Sequence, residues 1–283
     1  KTNQYFQITP VKCEFTEKRS GVGAARKVGM DEAVRIYEQF NVDGIIVNLD
    51  ADCTVKKNYV QAIVKHFKDY PKTPAAAIYY EHKLEVPKSD IAIIHYEIHL
   101  RYFINMQRFC MLPYAYQTVG SSMAVRSRAY QQQGGMNKRK AGEDFYFLQK
   151  MMLLGNFSEL NDTIVYPSSR TSDRVPFGTG RAMMEWLDGL EKRDSSYHPE
   201  SFLLLKVFLD MLPEIFFQDL NSLNVHFSRD HFYPDQQTSY CVKWYFENVL
   251  KRKVPDSLSE SLKELRAEDK KGVYNIGFHT YSK

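Results

Sequence analysis

The apolar positions of this 283-residue chain change period several times along its length. Residues 5–15 alternate weakly around Pro10 and predict a strand or two. A glycine-punctuated basic loop, Lys18 to Lys27, then leads into a helix over Asp31–Phe40, with Val34, Tyr37 and Phe40 on one face. The run Gly44-Ile45-Ile46-Val47-Asn48-Leu49 is short, apolar and rich in β-branched residues. It predicts a buried central strand that ends at Asp50-Ala51-Asp52. Val60, Ile63, Val64 and Phe67 recur at i, i+3, i+4 and i+7, which predicts a helix stopped before Pro71. Ala75–Tyr80 predicts another strand. Ser89 or Asp90 can cap a long helix to about Phe109, with Ile91, Ile94, Ile98 and Tyr102 inward. Tyr116–Val125 predicts a strand, Gly134-Gly135 a turn, and Glu143–Leu154 a helix closed by Gly155. Ile164–Tyr166 predicts a last short strand.

Beyond residue 167 the alternation of strands and helices stops. Only helical patterns follow, over Arg181–Leu190, Phe202–Phe217, Cys241–Leu250 and Leu258–Ala267. The expected architecture is therefore an α/β domain with a C-terminal helical extension. The clusters Phe202-Leu203-Leu204-Leu205 and Ile215-Phe216-Phe217 suit packing on the α/β domain, on a second subunit or on a membrane surface.

Composition narrows the classes. At 43% hydrophobic and 25% charged residues the chain is neither disordered, collagen-like nor a coiled coil. It contains no run of 18 apolar residues to span a membrane. A balance of 38 basic against 34 acidic residues makes no case for nucleic acid. Cys13, Cys53, Cys110 and Cys241 are far apart and show no C-x-x-C spacing, which argues against a disulfide framework and fits a reducing compartment.

Several segments can carry chemistry. Asp50-Ala51-Asp52 is a common triplet, but it stands where an apolar strand runs out into a loop. Open α/β sheets bind ligands at that edge. Two carboxylates one residue apart can hold a hard divalent cation and leave coordination sites for phosphate oxygens; the bland alternative is a loop-capping pair. Gly142-Glu143-Asp144 opens a helix, where acids ordinarily serve as caps. A carboxylate anchored there is also suited to take a proton from a hydroxyl. Arg170 and Arg174 stand at i, i+4 ahead of Gly178 and Gly180, an arrangement fit for a flexible arm closing on a diphosphate. Arg26 or Lys27 at the helix start can face an anionic ligand. His95 and His99 stand at i, i+4 without the H-E-x-x-H pattern and suit a core pair. The aromatic stretch Phe227–Tyr233 suits packing.

Taken in order, the helix start with Ala25-Arg26, the strand into Asp50-x-Asp52, Gly120-Ser121-Ser122, Gly134-Gly135 and Gly142-Glu143-Asp144 resemble the family 2 glycosyltransferases with the GT-A fold. The resemblance covers roughly residues 18 to 182. It implies a Rossmann-like mixed sheet flanked by helices, with residues 1–182 as a GT-A-like domain and 183–283 as the extension. It implies metal-dependent transfer of a sugar, with inversion, from a nucleotide-diphosphate sugar to a glycan or lipid-linked hydroxyl acceptor, as in polysaccharide biosynthesis. Asp52 would bind Mn²⁺ or Mg²⁺ directly, with Asp50 at the ribose or in the metal shell. Asp144 would be the general base and Glu143 its neighbour or substitute. Arg26, Arg170 and Arg174 would lie on the donor side, and Gly120 and Ser121 on the acceptor side. Oligomerisation through the extension and a cytoplasmic site, peripheral at the inner membrane face, complete the expectation.

The sequence departs from the family pattern ahead of Lys18. Nothing there matches the opening strand with its Pro-x-x-Asn-Glu-like loop, or the second strand with its base-reading Asp. The expectation is an N-terminally incomplete domain. Lys27 also stands where the family often has Asn, and no third metal ligand suggests itself. Two other readings stay open. Asp50-Ala51-Asp52-Cys53-Thr54 fits the first motif of haloacid-dehalogenase-type phosphatases, with Asp50 as nucleophile and Asp52 as acid/base. A nucleotide- or glycan-binding remnant without activity is the non-enzymatic reading.

Overall fold

A computed structural model of the chain describes residues 7–16, 20–85, 87–171, 178–187, 196–217, 243 and 245–272. It divides into two compact units interleaved along the sequence: Lys1–Ile78 with Thr118–Thr163, and Tyr79–Gln117 with Ile164–Lys283. The strands are β1 (Ile45–Asn48), β2 (Thr54–Val55), β3 (Ala75–Tyr80), β4 (Met123–Arg126) and β5 (Ser158–Tyr166). They form one sheet in the order β1-β4-β3-β5-β2. β4 runs antiparallel to both β1 and β3, pairing Val125 with Ile46 and with Ala75. The sheet with its flanking helices is the expected GT-A-like α/β arrangement, and the C-terminal part is helical.

β3 is the central strand. All six of its residues are buried, which explains the near-continuous apolar run Ala75–Ile78. β1 lies at an edge instead, a correction to the expected central strand. Its side chains alternate: Ile46 and Asn48 are buried, whereas Val47 is exposed. β-Branched residues suit a half-buried strand as well as a fully buried one, so composition could not separate the two.

In the first unit, α1 (Val22–Gln39) packs on β1, on α4 (Ser127–Gln132) and on α5 (Glu143–Met152). α1 starts nine residues before the expected Asp31. Arg26 and Lys27 are good helix formers, and Gly23 is needed where a Cβ would meet the Asn137 and Arg139 carbonyls at 2.5 Å. α2 (Tyr59–Asp69) buries Tyr59, Ala62, Ile63, His66 and Phe67. The expected face is corrected by about one residue: Val60 and Val64 are exposed, because His66 turns inward to Ser158 Oγ at 2.8 Å. Residues 7–16 form no strand and are exposed. β4 is shorter than expected, since Ser122 N–H turns back to the Val119 carbonyl. β5 is longer than expected because polar Ser158–Thr163 hide its alternation.

In the second unit, α3 (Pro87–Phe109) is the platform for α6 (Thr179–Leu187), α7 (Pro199–Phe217) and α8 (Leu258–Lys271). Ile94, Ile98, Tyr102 and Met106 of α3 join Phe202, Tyr245, Phe246, Leu262 and Leu265 in one core. Ile91, expected inward, is half exposed, and Ala92 and Ile93 are buried in its place. Among these apolar residues lies Glu97, fully buried. It accepts from Arg101 Nε (2.9 Å) and Nη2 (2.7 Å), from Arg266 Nε (2.7 Å) and Nη2 (2.8 Å), and from His82 N–H and Nδ1 (3.0 Å each). Arg101 also pairs with Asp269 and donates to the Tyr80 carbonyl at 2.6 Å. These contacts fasten α8 to α3.

His95 stacks on Trp186, and His99 meets Ser196 Oγ at 3.1 Å, so this pair belongs to packing. Leu203 and Leu204 are partly exposed, whereas Phe202 is in the core. The side chains of Ile215-Phe216-Phe217, the stretch Phe227–Tyr233 and Cys241 lie outside the described residues. Cys13, Cys53 and Cys110 are free thiols. Among the described residues no helix is long and apolar enough to cross a membrane.

Candidate active site

β1 ends at Asn48, and the chain leaves the sheet through Leu49 and Asp50. The Cys53 N–H donates to the Asp50 carbonyl at 3.0 Å, closing a tight turn that holds both aspartates before β2. Asp50 is half-buried and Asp52 exposed. α5 supplies the other acids. Gly142 precedes it with φ 69°, a left-handed conformation that favours glycine, and aims the first turn. Glu143 is buried there, while Asp144 keeps part of its surface.

Arg26 joins the two acidic segments. Its Nη2 donates to Asp50 Oδ1 at 2.8 Å, and its Nη1 pairs with Glu143 Oε1. The guanidinium is only 11% exposed. It lies against Gly120, where any Cβ would fall on Nη1, Cζ and Nη2. Burial works against the Arg26 charge, but Asp50, Glu143 and Asp144 hold it and raise its pKa. The Asp144 carboxylate accepts from the Phe145 N–H at 2.8 Å and from the Gly120 N–H.

Burial raises the Asp144 pKa above the ordinary aspartate value, opposed by these N–H groups and by Arg26. Burial also raises the Glu143 carboxyl; Asp144 adds to this and Arg26 counters it. The first unit therefore brings together Asp50, Glu143, Asp144, Arg26, Gly120 and Ser121. Arg170 is exposed in the second unit, and Arg174 lies outside the described residues. Lys27 pairs with Asp31 at 2.9 Å rather than standing free for an anion.

Cys53 and Tyr59, which have no place in the glycosyltransferase reading of the sequence, also lie here beside Ser121 and Ser122. The Cys53 thiol hydrogen-bonds Ser121, and burial pushes its pKa up. Ser121 is itself buried. The Tyr59 hydroxyl and Ser122 Oγ are buried without a hydrogen-bond partner among the described residues. Burial, with Cys53 nearby, pushes Tyr59 up to about 12. Cys53 beside Asp52 was legible as a neighbour in sequence; Tyr59 gave no signal beyond its place at a helix start.

Among the described residues no group of three or more His, Cys, Asp and Glu side chains is placed to hold a metal ion. A magnesium-type ion is commonly held by one or two carboxylates and completes its shell with substrate phosphate and water. Asp50 and Asp52 fit that donor set.

The sequence model of the family described as Glycosyl transferase family 2 matches residues 3–134. That stretch includes Arg26, Asp50, Asp52, Gly120 and Ser121, and ends before Glu143 and Asp144. No curated protein and no solved structure matches the chain. This match, together with the α/β sheet and the acids gathered at Arg26, supports a family 2 glycosyltransferase domain in this chain and glycosyl transfer as its activity.

Proposed function

We propose that the chain transfers a sugar, with inversion and with the help of a divalent metal, from a nucleotide-diphosphate sugar to a hydroxyl of a glycan or lipid-linked acceptor. Residues 1–182 would be the catalytic domain and 183–283 a helical extension available for oligomer contacts. The reading includes a role in polysaccharide biosynthesis and a cytoplasmic place, peripheral at the inner membrane face. The observation that carries it is the meeting of the Asp50 turn with the first turn of α5 around one guanidinium.

Asp144 acts as the general base. It is the more exposed of the two α5 acids, and N–H groups of Phe145 and Gly120 fix its carboxylate. It removes the acceptor hydroxyl proton as that oxygen bonds to the anomeric carbon and the diphosphate departs from the opposite face. One displacement of this kind inverts the centre. Glu143 is buried against Arg26, which suits it to shaping the site more than to proton transfer. Asp52, with Asp50 beside it, would hold Mn²⁺ or Mg²⁺, which when bound neutralises charge on the leaving diphosphate. Arg170 and Arg174 remain assigned to the donor diphosphate, and Gly120 and Ser121 to the acceptor side, on sequence grounds. The family match favours transfer over the phosphatase reading of Asp50 and Asp52.

A thermal-shift panel of nucleotide-diphosphate sugars with and without Mn²⁺ tests this. One donor should raise the melting temperature in a Mn²⁺-dependent way, and Asp52→Ala should weaken that donor about tenfold or more at a metal-bridged site. Binding that ignores both the metal and Asp52 would refute the metal-bridged site.

The rate should also depend on pH. A base must be ionised, and burial raises the Asp144 pKa. Transfer should therefore fall on the acid side through an apparent pKa above the ordinary aspartate value of about 3.9. A pH–rate profile with no acid limb above that value counts against the assignment.

A further inference from the structure

We propose that Arg26 is a positioning residue that fixes the Asp50 turn and the first turn of α5 in one geometry, and that residue 120 is glycine to admit its guanidinium. The functional part of this inference rests on the reading of the site as a glycosyl-transfer centre. The geometry does not depend on it.

Arg26 projects from an 18-residue helix, a rigid base. Its fork diverges to two carboxylates that lie 24 and 117 residues away in sequence. Its side chain is 11% exposed and that of Glu143 is 3% exposed. An arginine that grips a donor diphosphate presents its donors to the cleft, whereas both Nη atoms here are engaged by carboxylates of the chain itself. A planar fork can serve two acceptors in fixed directions, which a lysine ammonium cannot reproduce.

Gly120 completes the arrangement. Its missing Cβ leaves room for the guanidinium, and its N–H meets the Asp144 carboxylate. Asp50, Glu143 and Asp144 thus share one reference point. Displacing it would shift the proposed base and the proposed metal-side acid together. Loss of Arg26 would also leave Glu143 buried without its counter-charge, a strongly destabilising state.

Thermal melts and steady-state kinetics on Arg26→Met, Glu143→Gln, Gly120→Ala and the Arg26→Met/Glu143→Gln double variant decide the matter. Arg26→Met should lower the melting temperature by roughly 10 °C. The double variant should regain at least half of that loss, because a neutral amide then replaces the buried carboxylate at residue 143. Gly120→Ala should resemble Arg26→Met. In transfer, the double variant should lose roughly 30-fold or more in kcat relative to Glu143→Gln, with donor KM within about threefold. A melt of Arg26→Met within about 2 °C of the unaltered protein, or a double variant no more stable than Arg26→Met, overturns the proposal. So does a tenfold or greater rise in donor KM at unchanged kcat, which would make Arg26 a donor ligand. If the unaltered chain transfers no sugar from any donor, the proposed function fails, and the melts still decide the placement role.

Discussion

Asp144→Asn is expected to lower glycosyl transfer by about 10²- to 10⁴-fold, the usual worth of a placed general base. The amide keeps the shape of the carboxyl, so the fold and donor binding should remain nearly intact. The comparison with Glu143→Gln is informative. Glu143 is buried against Arg26, so its replacement acts on placement and stability. Asp144 keeps exposed surface and is held by N–H groups of Phe145 and Gly120. Single-turnover transfer with saturating donor separates the two, because the Asp144 variant should lose the larger part of the chemical step at unchanged stability while the donor stays bound. Near-normal turnover of Asp144→Asn would remove it as the base.

The largest stability effect is expected in the second unit. Glu97→Ala should destabilise it by about 3–5 kcal/mol, the cost of leaving buried charge without its partner. Arg101 is 1% exposed, and Arg266 is held by the same carboxylate through two bonds. Arg101 keeps Asp269 and the Tyr80 carbonyl, and lies 5.1 Å from the centre of the Tyr79 ring, but the central anion is gone. The tie between α3 and α8 should weaken with it. Urea unfolding read by tryptophan fluorescence and circular dichroism checks this, and a loss below about 1 kcal/mol would contradict the role given to the buried cluster.

The same cluster fixes the direction of the pH effect. Burial alone would raise the Glu97 pKa, but Arg101, Arg266 and His82 lower it well below the ordinary glutamate value. Its ionisation contributes stability that is complete above the unfolded carboxyl pKa. That contribution is lost as pH falls through the depressed folded value.

Local sequence carried much of this molecule. The strand Ala75–Tyr80, the start of α5 at Glu143 and the helical C-terminal part follow from apolar period, β-branching and turn residues, which act within a few positions. The place of Asp50 and Asp52 at the end of a strand was equally legible. Tertiary structure alone decided that β1 is an edge strand, since neighbours across a sheet leave no mark on a four-residue run. It alone turned α2 by about a residue through the His66–Ser158 bond, and brought Glu97 of α3 against Arg266 of α8. The ion pairs of Arg26 belong with these. In sequence Arg26 reads as a residue facing an anionic ligand; that carboxylates from two distant segments meet its fork is visible only in the fold. Periodicity reports which face is apolar. Charge pairing across 117 residues of chain depends on where the backbone finally runs, and no local pattern encodes it.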